Sequence, residues 1–513
     1  MTDREFIESL LADPNKLLLK KPFYRGVVDR PQGVFRKKYE VALTDKVRAT
    51  VPTIYKQIVS QAEFAQELDP YSHKVLFDEN VPSITIKSKK NGWMEIEQYR
   101  MAFPYQVLIR DKQVRHLCVN PMFQTLLISR PTEKQNKQFT RIKQAWAEKN
   151  MEGAKTKFVQ DQKSYGDAGL LFYIGDDKRL HTRNISYDDG YTIITHKDQN
   201  GRHVLECLYY CKDDIEYLDC YDDTYMTRFT NETYTNSDGN PIGSWRRYDS
   251  TPHGFSENPL ITKRGEVAWN RGQRIIDSYE ALYNTLVVVM KRHGWGILYV
   301  KGQFNDSGKR IAGNYILNDT SGDPNADAKT LSPADPSNMN AMLNEMEYAI
   351  QKATGTTFIL PKDINLSGDP SGVAVELTQE LDMATAQDGV IEWQNVANKM
   401  MRLFVEGLAK ELVVYDTEYS TAITDFAQLR IQNEFVVWKP KSDIAHNQMV
   451  AAAKAAGIIS RKTGVEKNTL STPDELARID IEEEETRERE AQQARQNEQV
   501  EDINNTEVID VVK

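Results

Sequence analysis

Leu366-Ser367-Gly368-Asp369-Pro370-Ser371-Gly372-Val373-Ala374 is the stretch on which the reading of this chain turns. Asp369 before Pro370 is a helix start: aspartate accepts from exposed backbone N–H groups, and proline at the first helical position gives up an N–H that has no partner there. Gly368, Pro370 and Gly372 together read as a hinge between loop and helix, the two glycines supplying backbone freedom. A long helix is predicted from there through Leu377, Leu381, Ala384, Ile391, Met400, Leu403, Phe404 and Leu408. Upstream, Ser337 to Lys352 places Met339, Met342, Leu343, Met346 and Ile350 on one face, and Gly355 ends that helix. Before it, Glu266 to Arg292 carries Ile275, Ile276, Tyr279, Leu282, Tyr283, Leu286, Val287 and Met290 at helical spacing. Lys291, Arg292 and His293 crowd its last turn and Gly294 follows, a stop suited to the helix dipole. The connection over 356–369 exceeds the usual helix–helix loop, and such loops often carry function.

Between the first two helices, Ile297 to Lys301 reads as a strand, Asn305-Asp306-Ser307-Gly308 as a turn, and Asn314 to Leu317 as a return strand. Thr320 to Pro336, rich in Gly, Pro, Asp and Ser, reads as loop. An excursion with so little to bury has a poor core of its own. It and its flanking helices are expected to lean on sister copies of the chain.

Further outward, Gly169 to Ile174, Thr192 to His196, Val204 to Tyr210, Ile215 to Tyr221 and Tyr225 to Asn231 are β-branched and aromatic strands. Asp176-Asp177, Asp189-Gly190, Asn200-Gly201 and Asp238-Gly239 are the hairpin signals beside them, so an antiparallel sheet is expected. His253 to Gly265 reads as a linker. Nearer the start, Lys46 to Leu68 and Thr132 to Met151 have helical spacing, the latter with Trp146 as its buried residue. Ser83 to Lys87 alternates as a strand before an Asn91-Gly92 turn. Lys16, Lys20, Lys21, Arg25, Arg30, Arg36, Lys37 and Lys38 make the beginning basic, either an arm towards a partner or a solvated surface. After the long helix come a strand over Leu429 to Val437, an alanine-rich helix over Asp443 to Ala456 capped by Gly457, and a further helix over Asp474 to Glu490. The polar final stretch is expected to stay unfolded.

The helix–hairpin–helix–loop–helix order, the Leu366–Ala374 run, Ser164-Tyr165-Gly166-Asp167-Ala168-Gly169 before the first strand, and Ala455-Ala456-Gly457-Ile458-Ile459-Ser460 near the end resemble the siphovirus-type portal proteins of tailed bacteriophages. The resemblance implies an α+β, portal-like fold in a homo-oligomeric ring of twelve around a DNA channel. It divides the chain into a wing of helices and antiparallel sheet (1–264), stem helix 1 (265–293), a small α/β clip (294–336), stem helix 2 (337–355) and a tunnel loop (356–369). The long wing helix and a return strand (370–440), a helical crown (441–490) and an acidic tail (491–513) complete it. Phe358, Ile359, Leu360, Lys362, Asp363 and Asn365 are then the candidate DNA-facing residues. Lys362 would make a phosphate contact, and the apolar trio would pack between neighbouring loops; the plainer reading is a buried strand and a surface lysine. Lys301, Lys309 and Arg310 are candidate clip contacts to DNA or to a motor. Implied partners are double-stranded DNA held non-specifically, the terminase large subunit, major capsid protein and scaffold, and a head-completion or adaptor protein. The implied location is the portal vertex of the virion, after assembly in the host cytoplasm.

Composition agrees with a chain made and kept in the cytoplasm: the start lacks a signal-peptide order, and no apolar run has the length of a membrane span. The formal net charge is −10, and residues 471–513 hold fourteen acids against five bases, so the body is close to neutral. A tight DNA binder needs a basic domain; a channel through which DNA slides does not, because deep electrostatic wells would hold the polymer still. The spacing Cys207, Cys211, Cys220 with His196 and His203 does not make a zinc site, since strand alternation scatters the side chains. No P-loop, GxSxG or HExxH occurs, and no cofactor or metal is expected. Two rivals stay open: another virion or scaffold protein with helical hairpins, and a cysteine hydrolase using Cys118 or Cys207 with a histidine.

Overall fold

A computed structural model describes residues 3–12, 23–25, 57–77, 84–88, 92–96, 100–197, 201, 203–213, 215–235, 241–293, 297–301, 304–311, 314–319, 327–331, 337–358, 379–416, 419, 421–438 and 443–467, and scattered positions from 479 to 489. In chain order the elements are α1 (Asp3–Leu11), β1 (Phe23–Arg25), β2 (Gln57–Val59), α2 (Gln61–Leu68), α3 (Lys74–Phe77), β3 (Ile84–Ser88), β4 (Gly92–Ile96), α4 (Tyr105–Cys118), β5 (Phe123–Leu126), α5 (Glu133–Glu148) and α6 (Met151–Tyr165). Strands β6 (Asp167–Ile174), β7 (Leu180–Ile185), β8 (Thr192–Lys197), β9 (His203–Lys212), β10 (Ile215–Tyr221), β11 (Tyr225–Thr235), β12 (Pro241–Pro252) and β13 (Leu260–Arg264) follow. Then come α7 (Gln273–His293), β14 (Ile297–Lys301), β15 (Phe304–Ile311), β16 (Asn314–Asp319), β17 (Asp327–Leu331), α8 (Ser337–Thr354), α9 (Glu380–Tyr415), α10 (Ala422–Ala427) and β18 (Ile431–Glu434). The last two helices are α11 (Asp443–Ala455) and α12 (Arg461–Lys467). The chain divides into one unit of 1–360 with 380–438 and a second of 361–379 with 439–513.

Helix α9, 36 residues and so about 54 Å long, is the spine of the first unit. Its buried positions Asp382, Ala386, Gly389, Trp393, Ala397, Met400, Phe404 and Leu408 advance by threes and fours, one stripe along the helix. Trp393 meets Phe158 of α6 edge-on at 5.2 Å, and Phe404 meets Trp146 of α5 at 5.0 Å. Gly407 lets the Leu180 side chain approach where a Cβ would lie 2.5 Å from it. The expected stripe holds in the second half of the helix, where Met400, Leu403, Phe404 and Leu408 are buried, and fails in the first, where Leu381 and Ala384 are exposed and Ile391 is 78% exposed. Hydropathy misassigned the first half because the register there is set by what α9 packs on, and an aspartate, Asp382, lies on the inner side.

The second core joins α7 and α8 to α4 and α2. Ile276, Tyr279 and Leu286 of α7 pack with Leu343 and Ile350 of α8 around Tyr105, Ile109, Phe64 and Trp269. Both predicted stripes are therefore largely covered within one copy, with Met290 and Met342 left outside. Two buried polar residues fix α7 further. Glu280 accepts from Phe103 N at 2.8 Å and lies 3.0 Å from His73 Nδ1, while Asn284 exchanges hydrogen bonds with the backbone of Met101 at 2.8 and 3.0 Å.

The strand region is two antiparallel sheets, in order β12-β11-β10-β9-β8 and β13-β6-β7. The expected linker over 253–265 contains β13, whose Leu260 and Ile261 are buried and pair with Leu171 and Leu170. The helix expected over 46–68 is also different. Gln57–Val59 pairs with Phe23–Arg25 as β2 and β1, and Ser60 then caps α2 through Glu63 N at 3.2 Å. Asn305–Gly308, expected as a turn, lies within β15 at a register irregularity, and Asp327–Leu331, expected as loop, pairs with β14. The excursion thus contains two hairpins, β15–β16 between the strands of β14–β17. Strand β18 pairs with β5. In the second unit, α11 ends at Ala455 and Gly457 follows with φ +71°, and Ser60's counterpart there is Ser460, whose Oγ accepts from Thr463 N at 3.2 Å. Most of the expected helix over 474–490, and the tail, lie outside the described residues.

Candidate functional site

The described residues on either side of 359–378 meet at one place, and α4 holds them there. Helix α8 ends at Thr354, and Gly355 continues at φ +65°, the left-handed conformation that glycine adopts without strain. A Cβ on Gly355 would lie 2.3 Å from Thr385 Oγ1 of α9. That hydroxyl instead approaches Gly355 O at 2.8 Å and Leu381 O at 3.0 Å. Thr356 is fully buried, its backbone N–H donating to Gln351 O at 3.2 Å. Gln113 of α4 reaches Thr354 O at 2.8 Å and Thr356 Oγ1 at 3.1 Å through the same amide nitrogen.

One residue further, Thr357 N donates to Asp382 Oδ1 at 2.9 Å, while Asp382 Oδ2 lies 3.0 Å from Lys112 Nζ, which also donates to Thr357 O. Asp382 is thus a buried carboxylate with two partners, as a charge removed from water requires. Its place in the first turn of α9 adds the favourable dipole of a helix N-terminus. Phe358 N then donates to Gln351 Oε1 at 2.9 Å, and the Phe358 ring packs on Tyr105 at 5.3 Å.

Beneath the clamp, Tyr105 and Tyr279 both donate to Glu347 Oε1, at 3.0 and 2.8 Å. Burial, with the neighbouring hydroxyl and carboxylate, holds the Tyr105 phenol well above its ordinary range, and burial pushes Tyr279 up to about 12. Both stay protonated donors at any working pH. Helices α4, α7 and α8 are therefore fastened to one another directly below the clamp.

Of the sequence-predicted residues, Phe358 belongs to this clamp. Ile359, Leu360, Lys362, Asp363, Asn365, Gly368, Pro370 and Gly372 lie outside the described residues. Lys301 is opposite Asp327 in β14–β17, Arg310 opposite Tyr315 in β15–β16, and Lys309 falls at the irregularity of that pair. Sequence reading missed Lys112, Gln113 and Asp382. A lysine, a glutamine and an aspartate on helices read as solvated faces, and nothing local signals their partners.

The thiols do not assemble a site among the described residues. Cys207 and Cys220 are buried side by side, Cys211 is exposed, His196 stacks on Phe6 at 4.2 Å, and His203 bonds to Glu206. No group of three or more His, Cys, Asp or Glu side chains there is placed to hold a metal ion. Burial pushes the Cys118 thiol up to about 12, the reverse of what a nucleophile needs. Among the described residues no helix is long and apolar enough to cross a membrane.

A family model described as phage portal protein, SPP1 Gp6-like, matches residues 65–494, well over half of the chain. Comparison with curated individual proteins gives no match.

Proposed function

The chain belongs to the SPP1 Gp6-like family of phage portal proteins, and on that premise we propose how its parts divide the work. A portal is a structural component of the virion that serves genome packaging. In our reading twelve copies close into a ring at the capsid's portal vertex by head-to-tail contacts. Helices α7 and α8 form the stem, 294–336 the clip, 1–264 and 370–440 the wing, and 441–490 the crown. Residues 356–369 form the tunnel loop, with Phe358 packed inward as its anchor, Ile359, Leu360, Lys362, Asp363 and Asn365 towards DNA and Gly368, Pro370 and Gly372 as its hinge. Lys301, Lys309 and Arg310 would meet DNA or the terminase large subunit at the clip, where an adaptor docks later. The wing would meet major capsid protein and scaffold during assembly in the host cytoplasm. No bond is made or broken by the chain itself; force comes from the motor.

The observation that carries the loop assignment is the clamp. A loop that rides on a moving duplex must transmit force to the stem without pulling either helix end loose. Asp382, Lys112 and Gln113 tie both ends to α4. The test replaces 359–369 with a Gly/Ser run of equal length, leaving Thr357 and Asp382 in place. Negative-stain imaging should still show annular particles, while packaging or retention of DNA falls. Loss of the annuli, or unimpaired packaging, would sink the assignment.

A further inference from the structure

Strand β10 is the central strand of the five-stranded sheet and β9 pairs with it, and Cys207 and Cys220 stand directly opposite each other on them. Their Sγ atoms are 3.2 Å apart and both residues are buried. Directly opposed residues of an antiparallel pair have Cα atoms about 4.5 or 5.5 Å apart, and both separations fall inside the roughly 4.4–6.8 Å that a disulfide spans. The bond therefore needs side-chain rotation and no movement of the strands. Helix α1 covers the pair: Leu10 is buried with Cys207, Cys220, Leu205 and Leu218, and Phe6, Ile7 and Leu11 pack against them. The third cysteine of this sheet, Cys211, is exposed at the end of β9.

We propose that Cys207 and Cys220 are a modification site, a dithiol that closes to a cross-strand disulfide when the chain meets an oxidising small disulfide. A cysteine thiolate attacks one sulfur of that reagent, whose S–S bond breaks; the departing thiolate takes up a proton. The second cysteine then attacks the mixed disulfide, the Cys207–Cys220 bond forms, and the other half leaves as a thiol. Two protein thiols lose two electrons and two protons in total, and the small disulfide becomes two thiols. Access requires α1 to lift, so the cover sets the rate and leaves the equilibrium to the geometry of the pair. A reducing cytoplasm keeps the site open and the surroundings of a released particle close it. Only this timing rests on the portal reading; the bond does not.

The test incubates the purified full-length protein with oxidised glutathione, then denatures it with iodoacetamide and maps the peptides by mass. Cys211, being exposed, should carry glutathione and so report that the reagent worked. The expected result is a peptide joining Cys207 to Cys220 and the loss of both from the alkylated pool, with Cys118 still alkylated. Phe6→Ala, which thins the cover, should reach the same end point several-fold faster, and Cys220→Ser should abolish the joined peptide. Glutathione on Cys211 with Cys207 and Cys220 both alkylated, in the parent and in F6A, overturns the proposal. So does a bond from either of them to Cys118.

Discussion

Asp382→Ala is the perturbation that most directly interrogates the clamp. The side chain is 2% exposed and has two partners, the Thr357 N–H at 2.9 Å and the Lys112 ammonium at 3.0 Å. Removing it leaves a partly buried backbone donor without its acceptor, which costs about 1–3 kcal/mol. Stranding a fully buried partner charge would add several kcal/mol more, but Lys112 is 27% exposed and can turn towards water, so its share is discounted to about 1 kcal/mol. The sum, about 2–4 kcal/mol, is a roughly 30- to 900-fold rise in local opening. Hydrogen exchange read by mass spectrometry on peptides covering 351–358 should show that rise, with the sheet peptides over 203–235 unchanged. Asp382→Asn keeps an acceptor for Thr357 and loses the charge, so it should cost only about 1 kcal/mol. A cycle with Lys112→Met should show the two residues coupled rather than additive. Unchanged protection at 351–358, or equal loss throughout the molecule, would refute the clamp.

Gly355→Ala forces a side chain into a left-handed backbone at φ +65°, about 1–2 kcal/mol by itself, and drives its Cβ onto Thr385; urea unfolding should lose at least that much, and a variant within 0.5 kcal/mol of the parent would show that the turn is not constrained. His73 offers a pH signature. Burial opposes the charged ring, but the hydrogen bond and charge of Glu280 outweigh it and raise the pKa above the ordinary 6.5. The pair's stabilisation is then fully present below pH 6.5 and is lost as pH rises through the higher folded value. The stability difference between the parent and His73→Gln should shrink over that rise, and a difference that stays level or grows would refute the assignment.

How far the sequence could be read depends on the kind of signal each element carries. The faces of α7 and α8 were legible because Ile276, Tyr279, Leu343 and Ile350 recur at helical spacing and all go into one core. Strand β10 was legible to the residue, Ile215 to Tyr221, because Ile215, Tyr217, Leu218, Cys220 and Tyr221 give it strand character. Strands β13 and β17 were not, since Thr262-Lys263-Arg264 and Asp327-Ala328-Lys329 look like loop until a partner strand supplies their hydrogen bonds. The clamp failed for a related reason. Lys112 meets Thr357 and Asp382 across more than two hundred residues of chain, and buried charge is recognisable only once its partner is known.

The same comparison changes where an oligomer must find its driving force. The sequence alone suggests that the helical stripes need sister copies to cover them, yet α4 and α2 already cover those of α7 and α8. Among the described residues of these three helices, Met290 and Met342 stay outside on α7 and α8, and Leu381, Ile391, Val413, Val414 and Tyr415 on α9. The two methionines of α7 and α8 do not make the continuous apolar face of an obligate interface. A ring built from this chain would therefore draw its stability from contacts beyond those two helix faces, repeated at each junction, closure adding one more junction than an open string of the same copies. Such an interface leaves each copy folded by itself before it joins, with the Asp382 clamp already formed.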